Sequence, residues 1–386
     1  MLSTIAPAKV KNKTMRILHL ASFSGNIGDN ISHIGFKNLL NQLHLDLDIT
    51  RLEIRKFYNN YNLSDKRFFN QELISEINSY DGCIIGGGGY MSYNQANSLT
   101  ATTFNCDSKL WKKIEKPLFI VSMGLNFFHD EKLNIPQIST TNKESFLRFW
   151  KVLLTNDKIR INLRNDGSAS VIEREFGKEF LKGTHETLDN GFFFKSNFKS
   201  KFLDKKYLAI NTISREPHLT LQEWQNFKNS LVKIIEYAIN TLKLHIVFVP
   251  HIPLDLEAIC EILSLTNERY KRENISVAPL LQGEFGAHFI ASIYRDSTFS
   301  VVSRFHASIA CFVENAKVIG LSHSYVNRMK ALYESVNLAD CFVEAKENFE
   351  QNIFALLENY PQKHADFQNQ QKQTLEIYKN FFEKNF

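Results

Sequence analysis

Two residues in the stretch Ser303-Arg304-Phe305-His306-Ala307 could do chemistry together. Arg304 is a fixed cation whose planar fork suits a carboxylate or a phosphate. His306, two residues on, gives or takes a proton near neutral pH. A fixed charge beside a proton-transfer group points to chemistry on an anionic substrate. A purely structural His306 is the competing reading. Arg164 stands in a similar setting, Arg164-Asn165-Asp166-Gly167-Ser168. It is a second candidate for an anion, with Ser168 beside it. The competing readings there are a salt bridge to a neighbouring acid and a helix cap from Asp166 or Ser168. His251, after Val249-Pro250, is a further candidate, at even odds with a satisfied interior histidine. No H-x-x-H or H-E-x-x-H pattern occurs, so a metal site has little support.

These residues gain weight from the elements that must carry them. Thr298 to Val302 reads as a buried strand, Ser308 to Val313 as a helix, and Lys317 to Ser322 as another strand. Arg304 and His306 therefore lie where a strand ends and a helix begins. In open α/β sheets ligands bind beyond the carboxyl ends of strands, and a helix N-terminus there favours anions. The same alternation runs through the chain. Strands are expected at Arg16 to Ala21, Ile49 to Phe57, Cys83 to Ile85, Leu118 to Val121 and Ile159 to Leu163. Helices are expected at Gln71 to Tyr80 and Phe146 to Leu154. A second set begins at Tyr207 to Ile210, with a helix over Thr220 to Leu242, a strand over His245 to Val249 and a helix over Leu254 to Leu263. Such alternation implies parallel sheets with helices on both faces. The polar, basic stretch Lys195 to Lys206 reads as a linker. It divides the chain into 15–195 and 205–345, with a helical tail over 346–386 expected to pack back across the domains.

Two glycine-rich stretches follow strands. Gly86 to Gly89 reads as a ligand-facing loop, with Gly87 and Gly88 at its centre; a tight turn is the alternative. Asn26, Gly28 and Asp29 lie in a turn-rich loop, Ser24 to Asn30. That loop matches neither G-x-G-x-x-G nor G-x-x-x-x-G-K-[ST], and Asp29 could instead cap the next helix.

Composition bounds the rest. The 386 residues suffice for two domains, and 44% hydrophobic with 23% charged residues is ordinary for a globular chain. The 32 phenylalanines imply well-filled cores, with some apolar surface to spare for a partner or lipid. A net charge of +5 fits anionic substrates and is too small to argue for nucleic acid. The five cysteines form no C-x-x-C pair and are odd in number, which fits a reducing compartment. Met1 to Thr14 carries three lysines but no apolar segment follows, so a secretory signal is not expected. No apolar run approaches membrane-spanning length. Peripheral membrane contact stays open.

Taken in order, these motifs resemble the polysaccharide pyruvyl transferase family over about Met15 to Leu332. The resemblance rests on Asn26-Ile27-Gly28-Asp29, Gly86 to Gly89, Ser122-Met123-Gly124, Arg164 to Ser168, Phe248 to His251, and Ser303 to Ala307 with Lys317 to Ser322. Three places depart from the family pattern. Asn165 replaces an acid, Leu188-Asp189-Asn190-Gly191 replaces a Pro-Asp-Pro-like element, and Asn315-Ala316-Lys317 replaces G-[IV]-P. The resemblance implies a glycosyltransferase-B-like fold of two Rossmann-like domains facing a cleft, the first on the acceptor side and the second on the donor side. It implies transfer of pyruvate from phosphoenolpyruvate to two hydroxyls of a sugar, as a cyclic ketal, without metal or other cofactor. Arg304, Arg164, Ser168 and His251 would bind phosphoenolpyruvate, and His306 with Arg304 would be catalytic. Asn26, Gly28, Asp29, Gly87 and Gly88 would form the acceptor side. The acceptor would be a sugar in a glycan or its lipid-linked precursor, which would place the enzyme in the cytoplasm, at the inner face of the cytoplasmic membrane. The rivals are a nucleotide-sugar glycosyltransferase of like architecture, with Glu284 a weak ribose candidate, and a non-catalytic glycan-binding scaffold.

Overall fold

The computed structural model describes residues 14–58, 60–92, 95, 97–125, 140–216, 219–323 and 326–385. The lysine-bearing N-terminus falls outside the described residues. The first half runs β1 (Met15–Ala21), α1 (Ile27–Gln42), β2 (Leu47–Glu53), α2 (Gln71–Ser79), β3 (Gly82–Gly88), β4 (Leu118–Met123), α3 (Thr140–Thr155), β5 (Ile159–Arg164), α4 (Ser168–Phe176) and β6 (Thr184–Thr187). The second runs β7 (Tyr207–Asn211), α5 (Leu221–Asn240), β8 (His245–Phe248), α6 (Pro253–Leu265), α7 (Glu268–Glu273), β9 (Ile275–Val277), α8 (Gly283–Asp296), β10 (Phe299–Val302), α9 (Phe305–Val313), β11 (Val318–Ser322), α10 (Val326–Ser335) and β12 (Phe342–Glu344). Two helices close the chain, α11 (Glu350–Glu358) and α12 (Gln368–Asn385).

The strands form two six-stranded sheets, in the orders β2-β1-β3-β4-β5-β6 and β9-β8-β7-β10-β11-β12. Every pairing is parallel. The second order is that of the Rossmann fold, with its switch point between β7 and β10; the first sheet switches between β1 and β3. The central strands are buried on both faces, β4 and β7 as mainly apolar runs and β3 as Cys83-Ile84-Ile85 between glycines.

The structure differs from the sequence reading in three local places. The strand expected over Ile49 to Phe57 stops at Glu53, and a single 3₁₀ turn follows because the Glu53 side chain accepts the Arg55 N–H. Gly86 to Gly88 belong to β3 and are not a loop. A Cβ on Gly86 would sit 2.1 Å from the Val121 carbonyl oxygen, so only glycine lets β4 pair this closely. Finally, α1 starts at Ile27 inside the stretch read as a loop, so Gly28, Asp29 and Asn30 form its first turn.

Helix α1 joins the two halves. Its Ile27, Ile31 and Ile34 belong to the core around the second sheet. Its Phe36, Leu39 and Leu40 belong to another cluster with β4 and α12. A helix buried on both sides shows no clean apolar stripe, which is why its sequence looks only weakly amphipathic. The C-terminal helix α12 packs back onto the first sheet, with Phe381 stacked on Phe119 at 4.1 Å between ring centres. Tyr378 Oη donates to Asn190 Oδ1 at 2.7 Å, and Thr374 Oγ1 accepts the Leu188 N–H at 3.1 Å.

Two buried histidines brace the β1–α1 corner. His19 Nε2 donates to the Gly86 carbonyl at 2.7 Å, and His33 Nε2 to the Ser22 carbonyl at 2.8 Å. Burial lowers both, His19 to about 4 and His33 to about 3, from an ordinary 6.5. In the unfolded chain both titrate near 6.5, so the unfolded state binds more protons below that pH. Their contribution to stability is complete above pH ~6.5 and drains as the pH falls toward their folded values. Stability should drop between pH 6 and 4.5 by about 1.4 kcal/mol per pH unit for each histidine. Urea unfolding across that range checks this, and His33→Gln should give a shallower slope than the parent chain.

Candidate active site

The carboxyl edges of the two sheets face each other across a cleft of about 190 Å³. From the first half it is lined by Asn26, Asp29, Gly88, Gly89 and Arg164. From the second it is lined by Ile213, His251, Ser303, Arg304, Phe305, His306 and Arg328. Thus Arg304 and His306 meet Arg164, His251, Asn26, Asp29 and Gly88 in one place.

Two helix N-termini converge there. Asn26 caps α1, its Oδ1 accepting the Gly28 N–H at 3.0 Å. The cap is therefore Asn26, and Asp29, for which a cap was the alternative reading, sits in the first turn. Arg304 is the N-cap residue of α9, and its side chain caps nothing. The first N–H groups of α9 are left to the cleft, where its dipole favours an anion.

Arg304 is held in place by the buried Asp255, which takes its Nε at 2.8 Å and also its Nη2. Asp255 further accepts the His251 and Ile252 N–H groups. The guanidinium is thereby oriented, and its Nη1 has no protein partner among the described residues. Arg164 is almost wholly buried. Its Nε donates to Asp166 Oδ2 at 2.6 Å, its Nη1 lies 3.6 Å from Asp189 Oδ2, and it stacks 4.4 Å over the Phe305 ring. The salt bridge weighed for Arg164 is present, and the residue lines the cleft as well. Arg328, 5.2 Å over the same ring, adds a third cation.

His306 contacts Gly28 across the domain boundary. A Cβ on Gly28 would lie 2.7 Å from the His306 Cβ. The His306 Nε2 is enclosed and lies 3.4 Å from Asp189 Oδ1, a distance we read as a charge contact at the edge of hydrogen bonding. No partner holds its Nδ1 among the described residues.

Asp189 is 0% exposed. Burial alone would raise its pKa, but His306, then Arg164 and the Gly191 N–H, more than reverse this and hold it well below the usual carboxylate range. Ser122 Oγ donates to it at 2.7 Å and Ser32 Oγ at 3.3 Å. Asp29 moves the opposite way. Burial raises it, against the pull of His306 and Arg55. Its Oδ2 accepts from Ser22 Oγ at 2.8 Å and from Arg55 Nη2 at 2.9 Å. Two carboxyls pushed apart around one imidazole are a common acid–base arrangement.

Three predicted site residues sit elsewhere or act inwardly. Ser168 is buried, its Oγ bonded to the Leu125 N–H at 2.8 Å and to Asp166, so it supports the Arg164 corner and does not line the cleft. Gly87 is packed against Ser122 and Ser32. His251 lines the cleft, but its Nε2 is bonded to Tyr294 Oη at 2.8 Å, and burial keeps the ring neutral. Asp189, Asp255 and Arg328 went unnoticed as site residues. Only Asp189 left a trace in the sequence, by standing where the resembled family carries another acidic motif.

Among the described residues no group of histidine, cysteine and acidic side chains could hold a metal ion. No helix among them is long and apolar enough to cross a membrane.

The model of the polysaccharide pyruvyl transferase family matches residues 26–325. No curated protein sequence matches the chain. Solved structures are similar at low identity. UDP-GlcNAc 2-epimerase from Methanocaldococcus jannaschii is 12% identical over 95% of this chain and 100% of its own, with a TM-score of 0.54. The α,α-trehalose 6-phosphate synthase from Burkholderia multivorans is 8% identical over 97% and 98%, with a TM-score of 0.55. S. aureus MnaA, in a co-structure with UDP, is 13% identical over 94% and 91%, with a TM-score of 0.54. These likenesses establish the two-domain, glycosyltransferase-B-like fold.

Removing the Asp189 charge leaves His306 without its buried counter-ion and Arg164 with Asp166 alone. Asp189→Asn should therefore cost about 3–5 kcal/mol of stability, measured by urea unfolding at pH 7.5. A cost below ~0.5 kcal/mol would show that this carboxylate does not organise the site.

Proposed function

The chain belongs to the polysaccharide pyruvyl transferase family, and from that premise we propose that it moves pyruvate from phosphoenolpyruvate onto two hydroxyls of one sugar, as a cyclic ketal. The observation that carries this reading is the cleft itself. Three arginines and the open N-terminus of α9 surround one histidine, which is backed by a buried, ionised carboxylate.

Phosphoenolpyruvate carries a carboxylate and a phosphate, and needs two sets of positive groups. Arg304, oriented by Asp255, with the N–H groups of α9 would take one. Arg164 and Arg328 would take the other. The cleft, at about 190 Å³, is smaller than the ~300–1,000 Å³ of sites for drug-sized ligands.

The chemistry follows from one proton-transfer group. His306, protonated and facing Asp189, would give its proton to C3 of the enol, turning the methylene into a methyl and leaving C2 electron-poor. The neutral imidazole would then take the proton of the first sugar hydroxyl as its oxygen bonds to C2. The C2–O bond to phosphate breaks, and its electron pair leaves with phosphate. The second hydroxyl adds at C2, its proton passing to the departing phosphate. The products are one ketal and one inorganic phosphate. Asp189 would fix the ring, as the carboxylate of a hydrolase triad does. Asn26, Asp29, Gly88 and Gly89, which line the cleft from the first half, would meet the acceptor, a sugar in a glycan or its lipid-linked precursor.

Phosphate release from phosphoenolpyruvate, with a panel of free and lipid-linked sugars, tests this. Release should depend on the acceptor and fall by at least a hundredfold in His306→Ala. Full activity in that variant would rule out the assigned role. If phosphoenolpyruvate does not bind and a nucleotide sugar is turned over, the glycosyltransferase reading replaces this one. Gly28→Ala should lower kcat at least tenfold, because its methyl group displaces His306. Its melting temperature should fall as well, since a methyl group 2.7 Å from the His306 Cβ overpacks the contact at a cost of about 1–3 kcal/mol.

A further inference from the structure

The interdomain stretch Lys195 to Lys206 is stitched along α8. Ser196 Oγ donates to the His288 carbonyl at 2.8 Å, and Arg295 Nη1 donates to the Phe198 carbonyl at 2.7 Å. Its two phenylalanines pack on two of the helix. Phe198 lies 5.9 Å from Phe285 and 5.3 Å from Phe289, and Phe202 lies 5.9 Å from Phe289, centre to centre. Phe285 itself is 62% exposed. Along this stretch Lys195, Lys199, Lys201, Lys205 and Lys206 are all exposed, with the exposed acids Asp204 and, on the helix, Glu284; Lys195 faces Glu314 and Lys205 faces His245, which leaves Lys199 and Lys201 as the lysines next in sequence to Phe198 and Phe202.

An exposed phenylalanine packed against a lysine-rich stretch has the chemistry of a surface that docks on an anionic bilayer. The lysines meet lipid phosphates, and the phenylalanine enters the headgroup–acyl boundary. The patch also lies beside the cleft. Gln282 Nε2 donates to the carbonyl of the cleft residue His251 at 3.2 Å, and the Gly283 N–H donates to Asn30 Oδ1 on α1 at 2.9 Å. Phe285 follows Gly283 by two residues. We propose that the Phe198–Phe285–Phe289 patch and its lysines form a docking surface for an anionic phospholipid bilayer, which sets the cleft next to the membrane. A nucleic acid would use the lysines but not an isolated exposed phenylalanine on a helix end, so the bilayer is the better fit.

Sedimentation of the full chain with phosphatidylcholine vesicles, with and without phosphatidylglycerol, tests the proposal. It reads the surface alone and does not depend on the donor chemistry. Binding should require phosphatidylglycerol and weaken several-fold in 0.5 M NaCl. Each of Lys199→Glu and Lys201→Glu should reduce it by about fivefold or more. Phe285→Ser should reduce it by a similar factor, while turnover of a soluble acceptor stays unchanged. Absence of binding, equal binding to neutral vesicles, indifference to all three substitutions, or tighter binding to single-stranded RNA than to the vesicles would each overturn it.

Discussion

A single buried charge organises this molecule. Asp189 has no contact with solvent, and an ionised carboxylate in that position is tolerable only if surrounding groups replace its water. The replacements come from both halves of the chain. Ser32 belongs to α1, Ser122 to β4, Arg164 to β5, and His306 to α9 of the second domain. Its hydrogen bonds come from the first half, through Ser122, Ser32 and the Gly191 N–H, and His306 is the partner that reaches it from the second. The group beside the candidate acid–base residue thus also makes a charge contact between the two halves.

The surrounding architecture serves that requirement. Helix α1 starts at the cleft, contributes Ile27 and Ile31 to the core of the second domain, and ends against α12 on the first. It is a shared wedge, and its N-terminus faces that of α9. Helix α12 returns to the first sheet and holds the segment around Asp189 through Thr374 and Tyr378. The two sheets present their carboxyl edges to each other, so their switch points fall on one cleft.

Much of this arrangement was legible in the chain. The aliphatic runs gave the strands, because a strand buried on both faces has few other compositions. The arginines and His306 could be read as site residues because each follows such a strand, at the edge where ligands bind. Three things were not legible. Gly86 to Gly88 looked like a loop, because nothing local reveals that β4 passes too close for a side chain. Asp29 was weighed as the cap of α1, a role that belongs to Asn26, since both residue types cap helices and only the backbone chooses between them. Asp255 looked like an ordinary first-turn acid of a helix, although it holds Arg304 from 49 residues away.

Local pattern in the chain was enough for the element types, the pairing of two similar halves and the position of each reactive residue relative to its own strand. These depend on periodicity and on neighbours a few residues away, so they survive being read one segment at a time. Which charges meet was settled by the packing of the two domains. Asp189 and His306 are brought to 3.4 Å, and Gly28 and His306 into contact, by the closure of one domain on another. Electrostatic pairing depends on distance through space, and burial multiplies its strength. Neither quantity exists until both domains are packed around α1.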